Sequence, residues 1–149
     1  MIKNSKLKDT ITKLIDATKK EQIYWQPLSD ESEIFSFPKD EDRAYALKPI
    51  LGESVIDHRS FYCKTSTAIF FLIAVGNMTT IIAGSFRLEL YIQLDGSPHT
   101  RLLARSSADE SEEAKTLSVA LKRLHNVVES IDPEYDNKID DFLDIFLNS

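Results

Sequence analysis

The chain has 149 residues, of which 42% are hydrophobic, and a formal net charge of −6. This length suits one domain with a hydrophobic core, and the apolar fraction lies outside the range of disordered chains. We predict a single domain over residues 1–149, and the one cysteine excludes an internal disulfide. No apolar run follows the N-terminal lysines, so no secretory signal is indicated and a cytoplasmic location is expected.

The charge is unevenly distributed along the chain. Residues 1–20 carry six basic and two acidic side chains, whereas residues 108–149 carry four basic and eleven acidic ones. An acidic surface repels the phosphates of nucleic acids and of anionic lipids, and it attracts basic surfaces of proteins. We therefore expect no nucleic acid partner and favour a protein partner with a basic surface, although the acidic residues could serve solubility alone.

The N-terminal segment is predicted to be a helix from Ser5 to Lys20. Apolar residues recur there at the spacing that places them on one helix face. They are Leu7, Ile11, Leu14 and Ile15, followed by Thr18. The helix is expected to end near Glu21, because the next residues favour extended backbone and precede Pro27. Residues 29–60 show no periodicity and contain two prolines, which predicts mostly loop.

Residues 65–85 are 21 consecutive uncharged positions, which raises the question of a membrane span. Polar residues, among them Asn77 and Thr80, interrupt the stretch at the depth where they would cost most in a bilayer. Gly76 and Asn77 favour a tight turn, and the residues on either side favour a pleated sheet. We predict a buried strand, a turn and a second strand, with no membrane span.

The next segment, residues 86–95, alternates apolar and polar side chains and is predicted to be a strand with one buried face. The predicted buried side chains are Phe86, Leu88, Leu90, Ile92 and Leu94. The predicted solvent-facing side chains are Arg87, Glu89, Tyr91, Gln93 and Asp95. A turn at residues 95–98 leads to a returning antiparallel strand at Thr100–Arg105, and residues 61–66 supply a further strand.

Two helices are predicted in the C-terminal third. The first has an apolar stripe of Leu117, Leu121, Leu124, Val128 and Ile131. Asp132 is predicted to cap the second helix, with Pro133 at its first position. Its stripe consists of Tyr135, Ile139, Phe142, Leu143, Phe146 and Leu147. The predicted fold class is α+β, in which an antiparallel three- to four-stranded meander is packed on one face by the N-terminal helix and two C-terminal helices.

Few residues suggest catalytic chemistry. The histidines, His58, His99 and His125, lack the three- or four-residue spacing of helical metal ligands, so no metal site is predicted. We expect His125 on a partly exposed helix flank and Cys63 as a small buried hydrophobe. No glycine-rich phosphate motif is present, and no catalytic residue or cofactor is predicted.

Four acidic residues in the last predicted helix form the main candidate binding site. Asp136, Asp140 and Asp144 repeat every four residues, and Asp141 adjoins them. Like charges at this spacing destabilise a helix, so a basic partner that compensates them is one hypothesis. A solvated acidic face is the other.

Tyr24 and Trp25 are candidate aromatic anchors for the same partner, since aromatic residues often dominate the energetics of protein interfaces. Trp25 could equally belong to the core.

Two segments resemble a known group of proteins: TKKEQIYW at residues 18–25 and NKIDDFLDIF at residues 137–146. In them the chain resembles a diffuse group of small bacterial α+β proteins with a leading helix, a tryptophan at the entry to a β-meander and a C-terminal helix pair. Lys20 and Glu21 stand where that group has Asn and Gly. The group has no established activity, so the resemblance implies a fold and no function.

The sequence therefore favours a non-enzymatic interaction protein, comparable to immunity proteins, antitoxins or inhibitors, that presents its acidic C-terminal helix to a basic partner. The alternative is an enzyme or small-molecule binder that uses Asp57, His58 and Cys63. That alternative requires the three side chains to converge in one concave pocket. The sequence indicates no oligomeric state.

Overall fold

The computed structural model of the chain describes residues 2–28, 54–106, 111–131 and 133–149. These residues form the predicted α+β fold, an antiparallel sheet with helices. The helices are α1 (Asn4–Lys19), α2 (Met78–Ala83), α3 (Glu112–Ser130) and α4 (Pro133–Leu147). The strands are β1 (Gln26–Pro27), β2 (Ser54–Val55), β3 (Phe61–Lys64), β4 (Ala68–Gly76), β5 (Arg87–Leu94) and β6 (Thr100–Arg105).

The sheet has the strand order β1-β3-β4-β5-β6, and β2 pairs with β4. Strands β3 to β6 form an antiparallel meander, and the two-residue strands β1 and β2 add to the sheet. Strands β2 and β3 lie along the same edge of β4, separated by a 3₁₀ turn at Asp57–Arg59. Ser60 fills the gap, because its hydroxyl accepts from the Ala74 N–H at 3.0 Å and donates to the Ile56 carbonyl at 2.8 Å. Most of the predicted loop at residues 29–60 lies outside the described residues.

The structure corrects the prediction for residues 65–85. Strand β4 is present, but the predicted second strand is the short helix α2. Asn77 and Thr80 explain the difference, because they form a reciprocal capping box. The Thr80 N–H donates to the Asn77 side chain at 3.0 Å, and the Asn77 N–H donates to the Thr80 hydroxyl at 2.8 Å. Within the described part of the chain, no helix is both long enough and apolar enough to cross a membrane.

Helices α1 and α3 share one hydrophobic core with the sheet. Ile11 and Leu14 of α1 and Leu121 and Leu124 of α3 are buried. They belong to one core cluster with side chains of β4 and β5. Burial of such side chains stabilises the fold by roughly 1.5–3 kcal/mol each.

The other face of the sheet is also buried, which the sequence did not predict. Glu89 and Tyr91, expected to face solvent, are both 0% exposed. The Tyr91 hydroxyl donates to one oxygen of Glu89, and Arg87 Nε donates to the other at 2.9 Å. These bonds satisfy the buried carboxylate, which would otherwise be strongly destabilising. Alternation of apolar and polar residues predicts which side chains share one face of a strand. A polar side chain on such a face can still be buried when its hydrogen-bond partners are buried with it.

Helix α4 begins at Pro133, as predicted, while Asp132 lies outside the described residues. The predicted packing of this helix on the sheet is not observed. Every described side chain of α4, from Asp136 to Leu147, is exposed. The physical reason is that α1 and α3 already occupy the helix-bearing face of the sheet.

Candidate partner-binding surface

Helix α4 presents an exposed stripe of apolar side chains, which we call the α4 stripe. It consists of Ile139, Phe142, Leu143, Phe146 and Leu147. Their exposed fractions run from 39% at Ile139 to 77% at Leu147. The rings of Phe142 and Phe146 stack on each other with centroids 6.1 Å apart. A contiguous apolar surface of this kind is typical of an interaction site, because leaving it in water is unfavourable.

Acidic side chains lie along one edge of the α4 stripe. A helix turns about 100° per residue, so Asp136, Asp140 and Asp144 form a row beside Leu143 and Leu147. We call these three residues the acidic row.

Asp141 falls on the opposite side of the helix from the α4 stripe. All four aspartates are exposed. None of them makes an ion pair within the residues that the structure describes. The sequence prediction treated the four as equivalent, whereas helix geometry places Asp141 farther from the α4 stripe than the acidic row.

Asp140, Asp141 and Asp144 could in principle hold a cation, since their carboxylate oxygens all lie within 4.8 Å of one another. All three are exposed and come from one helix. Calcium takes six to eight oxygen ligands, of which these side chains would supply only part. The cluster is better described as an acidic surface.

The two aromatic candidates differ in accessibility. Tyr24 is 58% exposed and remains available to a partner. Trp25 is only 5% exposed and belongs to the core, where its Nε1–H donates to the Thr18 hydroxyl at 2.9 Å. Trp25 is therefore a core residue, which is one of the two interpretations of the sequence.

In the alternative site at Asp57, His58 and Cys63, the cysteine is buried. Cys63 is 1% exposed, and burial raises the pKa of its thiol to about 11. A thiol with such a pKa is protonated at neutral pH and is a poor nucleophile. His58 is exposed, and the side chain of Asp57 lies outside the described residues. Cys63 and His58 therefore face different environments.

His125 is buried at 2% exposure, which corrects the predicted partly exposed position. Its Nε2 lies 2.9 Å from the Arg59 carbonyl oxygen, and its Nδ1 lies 3.2 Å from a Glu129 carboxylate oxygen. Arg59 in turn donates two hydrogen bonds to Glu129, each 3.0 Å long. The four-residue spacing of His125 and Glu129 was the sequence signal for this cluster, but Arg59 becomes their neighbour only in the fold.

The surroundings of His125 keep the imidazole neutral. Burial, together with the guanidinium charge of Arg59, holds its pKa below the ordinary value of 6.5, despite the Arg59 carbonyl and the Glu129 charge. The rings of Phe61 and Phe86 contact the imidazole edge to face. The cluster connects the 3₁₀ turn to α3, which is a structural role.

Comparison of the chain with known protein families, with curated proteins and with solved structures finds no match. Its function is therefore inferred from the chemistry of its own surface. Among the described side chains, α4 carries more exposed large hydrophobic residues than any other helix or strand, and the acidic row lies beside them.

Proposed function

We propose that this chain is a non-enzymatic protein-interaction module, comparable to immunity proteins, antitoxins or inhibitors, and that α4 is its binding element. The observation that carries the proposal is the α4 stripe, five large apolar side chains that are 39% to 77% exposed on one helix face. A solvated acidic helix needs no such stripe.

The chemistry of α4 defines the kind of partner. A helix with one apolar face binds in a hydrophobic groove, where the apolar side chains are removed from water. The acidic row would then lie at the margin of the groove, opposite basic side chains. Charges at the margin of an interface steer association and select partners more than they add affinity. The proposed partner is thus a protein with an apolar groove that has basic side chains along its edge.

Site-specific photo-crosslinking in the native host tests this proposal. A photo-reactive amino acid replaces Phe146, and in a control chain it replaces Ile82, which is 83% exposed on α2. We expect a discrete crosslinked protein from position 146 and none of that species from position 82.

Charge reversal provides a second arm of the same experiment. Asp140→Lys should weaken crosslinking from position 146 on the order of tenfold, because it places a cation against the basic edge of the groove. Asp95→Lys, at an exposed position in the turn between β5 and β6, is the control and should have little effect. Equal crosslinking in both variants, or at positions 146 and 82, would contradict the proposal.

A further inference from the structure

The outer surfaces of α1 and α3 leave a groove between them, which we call the α1–α3 groove. It has a volume of about 590 Å³. Ile15 of α1 and Val119, Ala120 and Val127 of α3 form its apolar lining. Val119 is 57% exposed, so this lining is accessible from solvent.

Basic side chains surround the groove in a chain that is acidic overall. The lining includes the cations Lys8, Lys19, Lys115 and Arg123, with Asp16 as the single acid. All four cations are exposed. In the described ranges of the chain, none of the four makes an ion pair. The groove therefore has the chemistry required of the partner of α4: an apolar floor with basic edges.

The spacing of the charges matches as well. Lys115 and Arg123 are eight residues apart on α3, and Asp136 and Asp144 are eight residues apart on α4. At about 1.5 Å rise per residue, both separations are roughly 12 Å along the helix axis. An α4 helix that lies along the groove can thus place both ends of its acidic row opposite cations of α3.

We propose that α4 of one copy of this chain binds in the α1–α3 groove of a second copy. The inference rests on the proposed function of α4 and names its partner. In the single chain the α4 stripe and the groove are both exposed, so neither surface is covered by the other. Each copy carries one helix and one groove, so two copies can exchange helices reciprocally. Such an exchange gives a closed twofold dimer, in which no α4 helix and no groove remains free to bind a third copy.

Complementary charge reversal tests the dimer with purified protein. The groove variant carries Lys115→Glu and Arg123→Glu, and the helix variant carries Asp136→Lys and Asp144→Lys. Sedimentation over a range of concentrations should show a dimer for the unmodified chain and a monomer for each variant alone. An equimolar mixture of the two variants should again form a dimer of mixed composition, because both contacts then join opposite charges.

Two single variants serve as matched controls. Lys122→Glu changes an exposed cation of α3 that does not line the groove, and Asp95→Lys changes an exposed acid in the turn between β5 and β6. Both should remain dimeric. A dimer that persists in the groove and helix variants, or variants that fail to form the mixed dimer, would overturn the proposal.

A monomer at every concentration would also overturn it. In that case, oxidation of a chain with Val119→Cys and Phe146→Cys would show whether α4 occupies its own groove, since a disulfide would form within one chain instead of between two. The native Cys63 is buried and does not interfere. Failure of the dimer leaves the crosslinking result of the proposed function unaffected, so the two failures are distinguishable.

Discussion

Glu21 adopts a backbone conformation that glycine tolerates better. Its φ is 56°, at the position that follows the last turn of α1. The Gln22 N–H donates to the Ala17 carbonyl, and the Glu21 N–H donates to the Thr18 carbonyl. This is a Schellman motif, in which glycine usually occupies the position of Glu21.

Replacement of Glu21 by glycine should therefore stabilise the fold. We expect Glu21→Gly to raise the free energy of unfolding by about 1 kcal/mol, because it removes the steric cost of a left-handed conformation. Urea denaturation measures the change. Lys20→Gly is the control, since the φ of Lys20 is −84° and glycine brings no such relief there. A Glu21→Gly variant that is no more stable than the unmodified chain would contradict the explanation.

His125 should make stability depend on pH. Its folded pKa lies below 6.5, so the unfolded chain binds a proton near pH 6.5 while the folded chain does not. The contribution is fully present above that pH and is lost as the pH falls toward the folded pKa. Urea denaturation between about pH 8 and about pH 5 should show this decline, and it should be weaker in His125→Gln. His58→Gln, at an exposed position, should keep the decline; equal slopes in all three proteins would argue against a role for His125.

At the scale of elements, the junction of β4 and α2 depends on Gly76. A Cβ at this position would lie 2.3 Å from the Thr80 hydroxyl oxygen and 3.1 Å from Phe86 Cβ. The Thr80 hydroxyl cannot move away without loss of its hydrogen bonds to Asn77. The capping box at the start of α2 therefore requires a residue without a side chain at position 76.

Gly76→Ala should destabilise the fold by roughly 1–3 kcal/mol through overpacking. Part of this cost should disappear in a chain that also carries Thr80→Ala, because the closest contact is then removed. Thermal or urea denaturation of the two single variants and the double variant measures the coupling. Additive effects of the two substitutions would show that the contact does not determine the requirement for glycine.

Helices α3 and α4 should contribute very differently to stability. Leu124 of α3 is 0% exposed, so Leu124→Ala should cost about 2–5 kcal/mol. Phe142 of α4 is 61% exposed, and Phe142→Ser should change the free energy of unfolding by less than about 0.5 kcal/mol at low protein concentration. Urea denaturation of both variants provides the comparison. A large loss for Phe142→Ser would show that α4 packs against its own chain.

At the scale of the whole molecule, β4 lies at the centre of the fold. Four consecutive residues of this strand are 0% exposed: Leu72, Ile73, Ala74 and Val75. They alternate between the core clusters on the two faces of the sheet. A central strand with neighbours on both edges opens only when the fold opens.

Hydrogen exchange should follow this arrangement. We expect the slowest amide exchange in β4 and fast exchange in the two-residue strands β1 and β2. Helix α4 should exchange fast in the monomer, because an unpacked helix of 15 residues is marginally stable in water. Mass spectrometry at low concentration measures these rates. Slow exchange in α4 under those conditions would contradict its isolation from the body of the protein.

Local patterns predicted much of this architecture. The apolar spacing of Leu7, Ile11 and Leu14 predicted α1 and its buried face, and the alternation from Phe86 to Leu94 predicted β5. Helix boundaries were also close, because Pro133 restricts backbone locally. The candidate surface was predicted only in part: the aspartates of α4 were identified as acidic, whereas the α4 stripe was assigned to the core.

The amino-acid sequence by itself determined most of the helical and extended segments, with α2 as an exception, because these properties depend largely on residues within a few positions of one another. Only the tertiary structure decided which apolar faces of these segments are buried. It buried Glu89 and His125 among groups distant in sequence, and it left the α4 stripe exposed after α1 and α3 had covered the sheet. Burial depends on what packs against a side chain, and that is set by contacts between segments far apart along the chain.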